Sequence, residues 1–173
     1  MKASKFALLA LIAAGAPGLA APALANDCDA VIAASLKQMG MPYRTEMTIT
    51  SPGAQPTKGQ AIFMVSKLYT QVNGKWNVIP INAQQMSQQI QASMKTGSIS
   101  CKKVGPDSVD GEAATIYTAH DVQQGNNVDT KTWISNSRNL PLRSQAQISS
   151  GSNTQTIDMT IGYNNVSAPA GVQ

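Results

Sequence analysis

The chain has 173 residues, with 13 Lys and Arg against 9 Asp and Glu, a formal net charge of +4 and a single histidine. No basic cluster exceeds the pair Lys102-Lys103 and none interleaves with aromatics, which argues against a nucleic-acid partner. His120 has no second histidine to join it, and the two cysteines show no CxxC spacing, so neither a metal centre nor a cofactor is expected.

Residues 1–25 read as a secretory signal peptide. Met1-Lys2-Ala3-Ser4-Lys5 is basic, Phe6 to Ala16 is apolar, and Ala23-Leu24-Ala25 fits a small-x-small cleavage site. Gly15, Pro17, Gly18 and Pro22 interrupt the apolar run before it is long enough to span a bilayer. Asn26-Asp27 stand before Cys28 where a lipid-anchor motif would place small residues. Cleavage after Ala25 leaves 148 residues with 11 basic and 9 acidic side chains, a net +2, and no transmembrane segment. That length suits one domain, expected over 26–168 with a disordered tail at 169–173. Cys28 and Cys101 are the only cysteines, an even number in an oxidising compartment, and are expected to form one disulfide.

In chain order, Asp27 is placed to cap a first helix. Val31, Ile32, Leu36 and Met39 recur at helical spacing, and Gly40 ends it before Pro42. From Tyr43 the period becomes two: Tyr43, Thr45, Met47 and Ile49 point one way, and Arg44, Glu46, Thr48 and Thr50 the other. Gly59 to Lys67 reads as one strand covered on both faces. Asn73-Gly74 between LYTQV and KWNVI signals a hairpin. A second helix is expected over 82–95, opened by Asn82 and Gln85 and carrying a narrow stripe of Met86, Ile90 and Met94. That stripe suits a helix lying over a sheet as a cover, and Gly97 ends it. SISCKKV, a turn at Pro106-Asp107, EAATIYTAHDV, VDTKTWISN, PLRSQAQIS and TQTIDMTIGY then follow as strands, the last with Ile157, Met159 and Ile161 on one face.

The expected fold is α+β and mainly β: a curled antiparallel sheet, an incomplete β-barrel, covered by two helices. A twisted sheet of about eight or nine strands tends to curl and leave a concave face.

One stretch is more specific. In WISNSRNLPLRSQ, Trp133-Ile134 leads through a polar turn to Leu140-Pro141-Leu142-Arg143, and the last strand ends in Gly162-Tyr163-Asn164-Asn165-Val166 before Ala168-Pro169. Pro141 suits the first position of a strand. The stretch resembles the C-terminal half of the LolA/LolB-like superfamily, periplasmic carriers of lipoproteins and lipids, in which a W-I-D-x-x-x-x-L-P-L hairpin leads to a strand ending in Y-x-N-V. Ser135 stands where that pattern has Asp. The resemblance covers about 40 residues and implies a LolA-like half-barrel in the periplasm with an apolar cavity. Arg44, in the first strand, is the candidate for the arginine that latches the helical cover in such proteins.

The resemblance implies a non-enzymatic carrier or sensor whose partner is a hydrophobic small molecule, a lipid or a lipoprotein acyl chain. The residues expected to hold that ligand are Met47, Ile49, Phe63, Val65, Ile134, Leu142 and Met159, with Met86 and Ile90 from the cover. The alternative is a filled half-barrel that docks an envelope protein and takes no small ligand. Large inward residues (Trp76, Phe63, Trp133) would block a cavity, whereas Ala61, Ala113 and Thr115 would leave one. His120-Asp121 with a serine would be the material of a hydrolase, but no G-x-S-x-G elbow marks a nucleophile. Met39-Gly40-Met41 and the other methionines suit a copper(I) site or, as expected here, an adaptable apolar cavity.

Overall fold

The computed structural model describes residues 27–72, 74–82, 84–88, 99–123, 126–151 and 153–172. The signal peptide expected at 1–25 and most of the second helix, Ile90 and Met94 included, lie outside the described residues.

The chain opens with helix α1 (Asp27–Met39), followed by β1 (Tyr43–Thr50), β2 (Thr57–Met64), β3 (Lys67–Val72) and β4 (Lys75–Pro80). A helical turn at 84–88, α2, leads on to β5 (Ser100–Val109), β6 (Glu112–Gln123), β7 (Asn126–Ser135), β8 (Pro141–Ser150) and β9 (Asn153–Gly162). All nine strands form one antiparallel sheet in the order β4-β3-β2-β1-β9-β8-β7-β6-β5. Two meanders are thus sewn together where the first strand pairs with the last. β4 and β5 are the two edges, so the sheet is open, a curled sheet rather than a closed barrel.

Helix α1 carries Asp27 and Asp29 in its first turn and Lys37 in its last, matching the helix dipole at both ends. Gly40 closes it by donating to the Lys37 carbonyl at 3.2 Å. Asp27, expected as a cap, lies within the helix as its first described residue, and its carboxylate accepts the Lys103 N–H of β5 at 2.7 Å. The expected disulfide is formed: Cys28 of α1 is bonded to Cys101 of β5. Asn82 starts α2, its side chain accepting the Gln85 N–H at 3.1 Å.

Three boundaries differ from the sequence reading, each for a local reason. The strand expected over 59–67 ends at Met64, because Val65 and Ser66 form the turn into β3. The turn expected at Pro106-Asp107 falls instead at Asp110-Gly111, where both residues have positive φ (50° and 81°). Pro106 continues β5, opposite Thr115. β5 is an edge strand, so a missing N–H costs no ladder bond there. The third difference is a bulge in β8: Trp133 pairs with Arg143 but Ile134 pairs with Pro141, which leaves Leu142 as the extra residue. Near the C-terminus, Val166 and Pro169 are half-buried and border a cleft with Ile62 and Trp76.

Register sorts the side chains into two faces. Tyr43, Thr45, Met47 and Ile49 share one face with Ala61, Phe63, Ile157, Met159 and Ile161, and α1 lies on this face over β5 to β8. The opposite face holds a core cluster of Ala114, Ile116, Trp133 and Leu142, with Val109 and Tyr163 against it. The Trp133 Nε1–H donates to Asp107 at 2.8 Å, and the Tyr163 hydroxyl donates to the Pro141 carbonyl at 2.6 Å. Burial pushes the Tyr163 hydroxyl pKa well above its ordinary value.

Three carboxylates on this side are held below their usual pKa. Arg138, and after it the Ser135 hydroxyl, lowers Glu112; Arg143 lowers Asp158; the Trp133 N–H lowers Asp107. A depressed folded-state pKa contributes stability that is present above the unfolded value and lost as pH falls through the folded one. The ordinary values are 4.5 for Glu112 and 3.8 for the two aspartates. The melting temperature is therefore expected to hold from pH 7 to 5 and to fall progressively below 4.5, with Glu112→Gln removing part of that acid limb. Thermal melts between pH 7 and 3 check this; a melting temperature that holds down to pH 3 would count against it.

Candidate functional site

Between α1 and the sheet lies a cleft of about 330 Å³. Its apolar part is made by Tyr43 and Met47 of β1, Ala61 and Phe63 of β2, Leu68 of β3, and Met159 and Ile161 of β9. Its polar part is Thr45, Thr132 and Ser144 from the strands with Ser35 and Gln38 from α1, and no charged residue lines it. The Tyr43 ring stacks on Phe63 at 4.8 Å between centroids, and burial raises its hydroxyl pKa.

The cleft also reports the shape of the sheet. Leu68 and Thr132 both line it, yet β3 and β7 are five positions apart in the strand order. In a flat sheet that is about 24 Å, too far for one small cleft to touch both. The sheet therefore curls around the cleft, toward the side that carries α1. The volume sits at the low end of the range for small-molecule sites.

The structure brings Met47, Phe63 and Met159 of the expected ligand set together in this cleft. Ile49 is on the same face one row further along, opposite Thr57 and Ile157. Ile134 is 4% exposed and pairs with the cleft-lining Pro141. Two residues are elsewhere. Val65 is 52% exposed in the β2–β3 turn, because the strand reverses one residue before it. Leu142 is buried on the opposite face with Trp133, because the bulge breaks the alternation that would have put it in the cleft. Met86 is half-buried in α2 and does not line the cleft. Ile90 lies outside the described residues.

The two tryptophans do not block the cavity. Trp76 pairs with Gln71 and Trp133 with Ile116, which puts both on the face away from the cleft. Arg44 also faces away, its side chain lying against Gly162. Helix α1 is fixed at its C-terminal end by Lys37 instead, whose ammonium donates to the Arg138 carbonyl at 2.6 Å. Tyr43, Leu68 and Ile161 were missed as lining residues. The signal for two of them was in the sequence, since Tyr43 shares the parity of Met47, and Ile161 that of Met159.

Outside the cleft, His120 Nδ1 is 2.8 Å from Asp129 across the β6–β7 pair, both side chains being about half exposed. Asp121, its sequence neighbour, is buried and accepts the Val122 N–H at 2.8 Å, while the carboxylate that meets the His120 ring is that of Asp129. No group of three or more His, Cys, Asp and Glu among the described residues could hold a metal ion.

Neither a family model nor a curated protein matches the sequence. Solved structures do. MucB in complex with MucA(peri) matches with a TM-score of 0.51 at 14% identity, covering 84% of this chain and 58% of that one. LprF from Mycobacterium bovis matches with a TM-score of 0.42 at 12% identity, covering 86% of this chain and 97% of that one. A LolA superfamily protein from Nitrosomonas europaea has a TM-score of 0.24 at 8% identity and covers 73% of this chain and 86% of that one. At these identities the likeness is one of fold.

Proposed function

We propose that this protein is a non-enzymatic carrier or sensor of the cell envelope, exported by residues 1–25, that holds an acyl chain or other apolar ligand between α1 and the sheet. The observation that supports this most is the uncharged cleft floored by Met47, Phe63, Met159 and Ile161. Methionine side chains adapt to ligands of irregular shape. Burial of roughly 300 Å² of a chain at about 25 cal/mol per Å² gives on the order of 7 kcal/mol before the cost of immobilisation, enough for affinity in the micromolar range at best. Ile49 and Ile157, on the same face next to the cleft, would extend the contact for a longer chain.

The test is direct. Protein purified from a periplasm should begin at Asn26 and should release a lipid on organic extraction, read by mass spectrometry. It should also enhance the fluorescence of the neutral apolar probe N-phenyl-naphthylamine. Met159→Glu puts a charge on the cleft floor and is expected to weaken the probe more than tenfold while moving the melting temperature by only a few degrees, since Met159 is half-buried. Wild-type protein that binds no probe and carries no lipid would defeat the carrier reading. A module that docks an envelope protein would then take its place, a reading supported by the crystallisation of MucB in complex with MucA(peri).

A further inference from the structure

The cleft is apolar at one end only. Thr132 and Ser144 are directly opposite each other on β7 and β8, and Ser144 in turn is opposite Met159. Ser35 and Gln38 of α1 line the same cleft, and Thr45 lies between Ala61 and Ile161 in the register. The Ser35 hydroxyl donates to the Val31 carbonyl within the helix at 2.9 Å. The side chains of Gln38, Thr45, Thr132 and Ser144 make no hydrogen bond among the described residues. Thr45 is 5% exposed, yet no fully buried side-chain polar atom among the described residues lacks a partner. Its hydroxyl therefore still reaches open space, and the cleft it lines is where that space is. Unpartnered donors that face an otherwise apolar cavity lose free energy when a purely apolar ligand displaces their water. An ionised group fits no better, because no cationic side chain lines the cleft to offset the loss of its hydration.

We infer that the ligand is a neutral amphiphile: its chain lies over Met47, Phe63 and Met159, and an uncharged polar group, an alcohol, amide or ester, rests on the hydroxyls of Thr132 and Ser144 beside Gln38. This rests on the carrier reading and adds to it a ligand class and an orientation, polar group beneath α1 and chain toward β1 to β3. Thr132 and Ser144 are then the residues that separate such ligands from free fatty acids and from plain hydrocarbons.

The experiment is displacement of N-phenyl-naphthylamine at pH 8 by dodecanol, methyl dodecanoate and dodecanoate, on wild type and on Thr132→Val/Ser144→Ala. Wild type should release the probe at about tenfold lower concentrations of the alcohol and the ester than of dodecanoate, a difference of about 1.4 kcal/mol. Because ionisation by itself favours water, the variant decides. Thr132→Val and Ser144→Ala remove the two hydroxyls, so with displacement referred to the probe affinity measured on the variant itself, the alcohol and ester should weaken about fivefold. Dodecanoate displacing as well as dodecanol, or an alcohol affinity untouched in the variant, would overturn the inference and leave the carrier reading standing. Failure of wild type to bind the probe at all would remove both.

Discussion

Trp133→Ala is expected to lower the free energy of unfolding by about 3–5 kcal/mol, the largest effect of any single substitution considered. The indole is 4% exposed and packs on Ala114, Ile116 and Leu142. Truncating it opens a cavity among Ala114, Ile116 and Leu142 on the sheet face away from α1. Two further losses add to the cavity. The Nε1–H bond to Asp107 disappears, and the ring face over which Lys131 Nζ sits at 4.5 Å and the Arg143 guanidinium at 5.0 Å is gone. Trp133→Phe separates the contributions, since it keeps a ring for packing and for the two cations and loses the hydrogen bond, at a cost of about 1–2 kcal/mol. Urea melts of the two variants read both numbers. Trp133 is on the face away from the cleft, so the folded fraction of either variant should still bind the naphthylamine probe with wild-type affinity. A Trp133→Ala variant within 1 kcal/mol of wild type would mean that the Trp133 cluster is not the core it is taken for here.

The course of the chain was readable wherever alternation was regular. Tyr43 to Thr50 and Thr154 to Gly162 alternate cleanly, and the structure pairs these two strands with the sequence-predicted faces matched, Met47 opposite Met159 and Ile49 opposite Ile157. Alternation misleads wherever the backbone gains or loses a residue. Leu142 has the parity of Ser144, which lines the cleft, and only the bulge sends it to the Trp133 side. Val65 reads as the end of an apolar strand because nothing in MVSK marks a turn as strongly as Asn-Gly or Asp-Gly would. Conversely, Asp110-Gly111 is such a mark, and Pro106 competes with it as a turn signal because its place in an edge strand depends on a strand order the sequence does not state. The site was legible in part for a different reason. Apolar floor residues announce themselves by period, but Thr45, Thr132 and Ser144 look like any solvated strand residue until the curl of the sheet and the position of α1 enclose them. Pairing of β1 with β9 brings together residues more than 100 positions apart, and no local pattern encodes that.

Removing the Cys28–Cys101 bond is expected to lower the melting temperature by about 10 °C. The two cysteines are 73 residues apart in sequence. Closing a loop of that size removes denatured-state entropy worth about 4 kcal/mol in the chain-entropy model, and in a domain of this length each kcal/mol shifts melting by about 2–4 °C. The variant Cys28→Ala/Cys101→Ala removes the link without leaving a thiol, and it should still fold, because α1 keeps its other ties. Asp27 still accepts the Lys103 N–H, Lys37 still reaches the Arg138 carbonyl, and Ala34 and Met39 remain buried. Those ties are two hydrogen bonds at the ends of a helix and a short apolar contact between them, so α1 should separate from the sheet far more often than it does when covalently held. Hydrogen exchange in α1 would then rise toward that of a frayed terminus while β7 and β8 stay protected. Because Ser35 and Gln38 form one wall of the cleft, probe affinity measured well below the melting temperature should fall several-fold in step with that opening. A variant that melts within 2 °C of wild type would show that the denatured chain is already restrained without the bond. One that melts early but binds the probe as wild type does would show that α1 encloses the cleft without contributing to affinity.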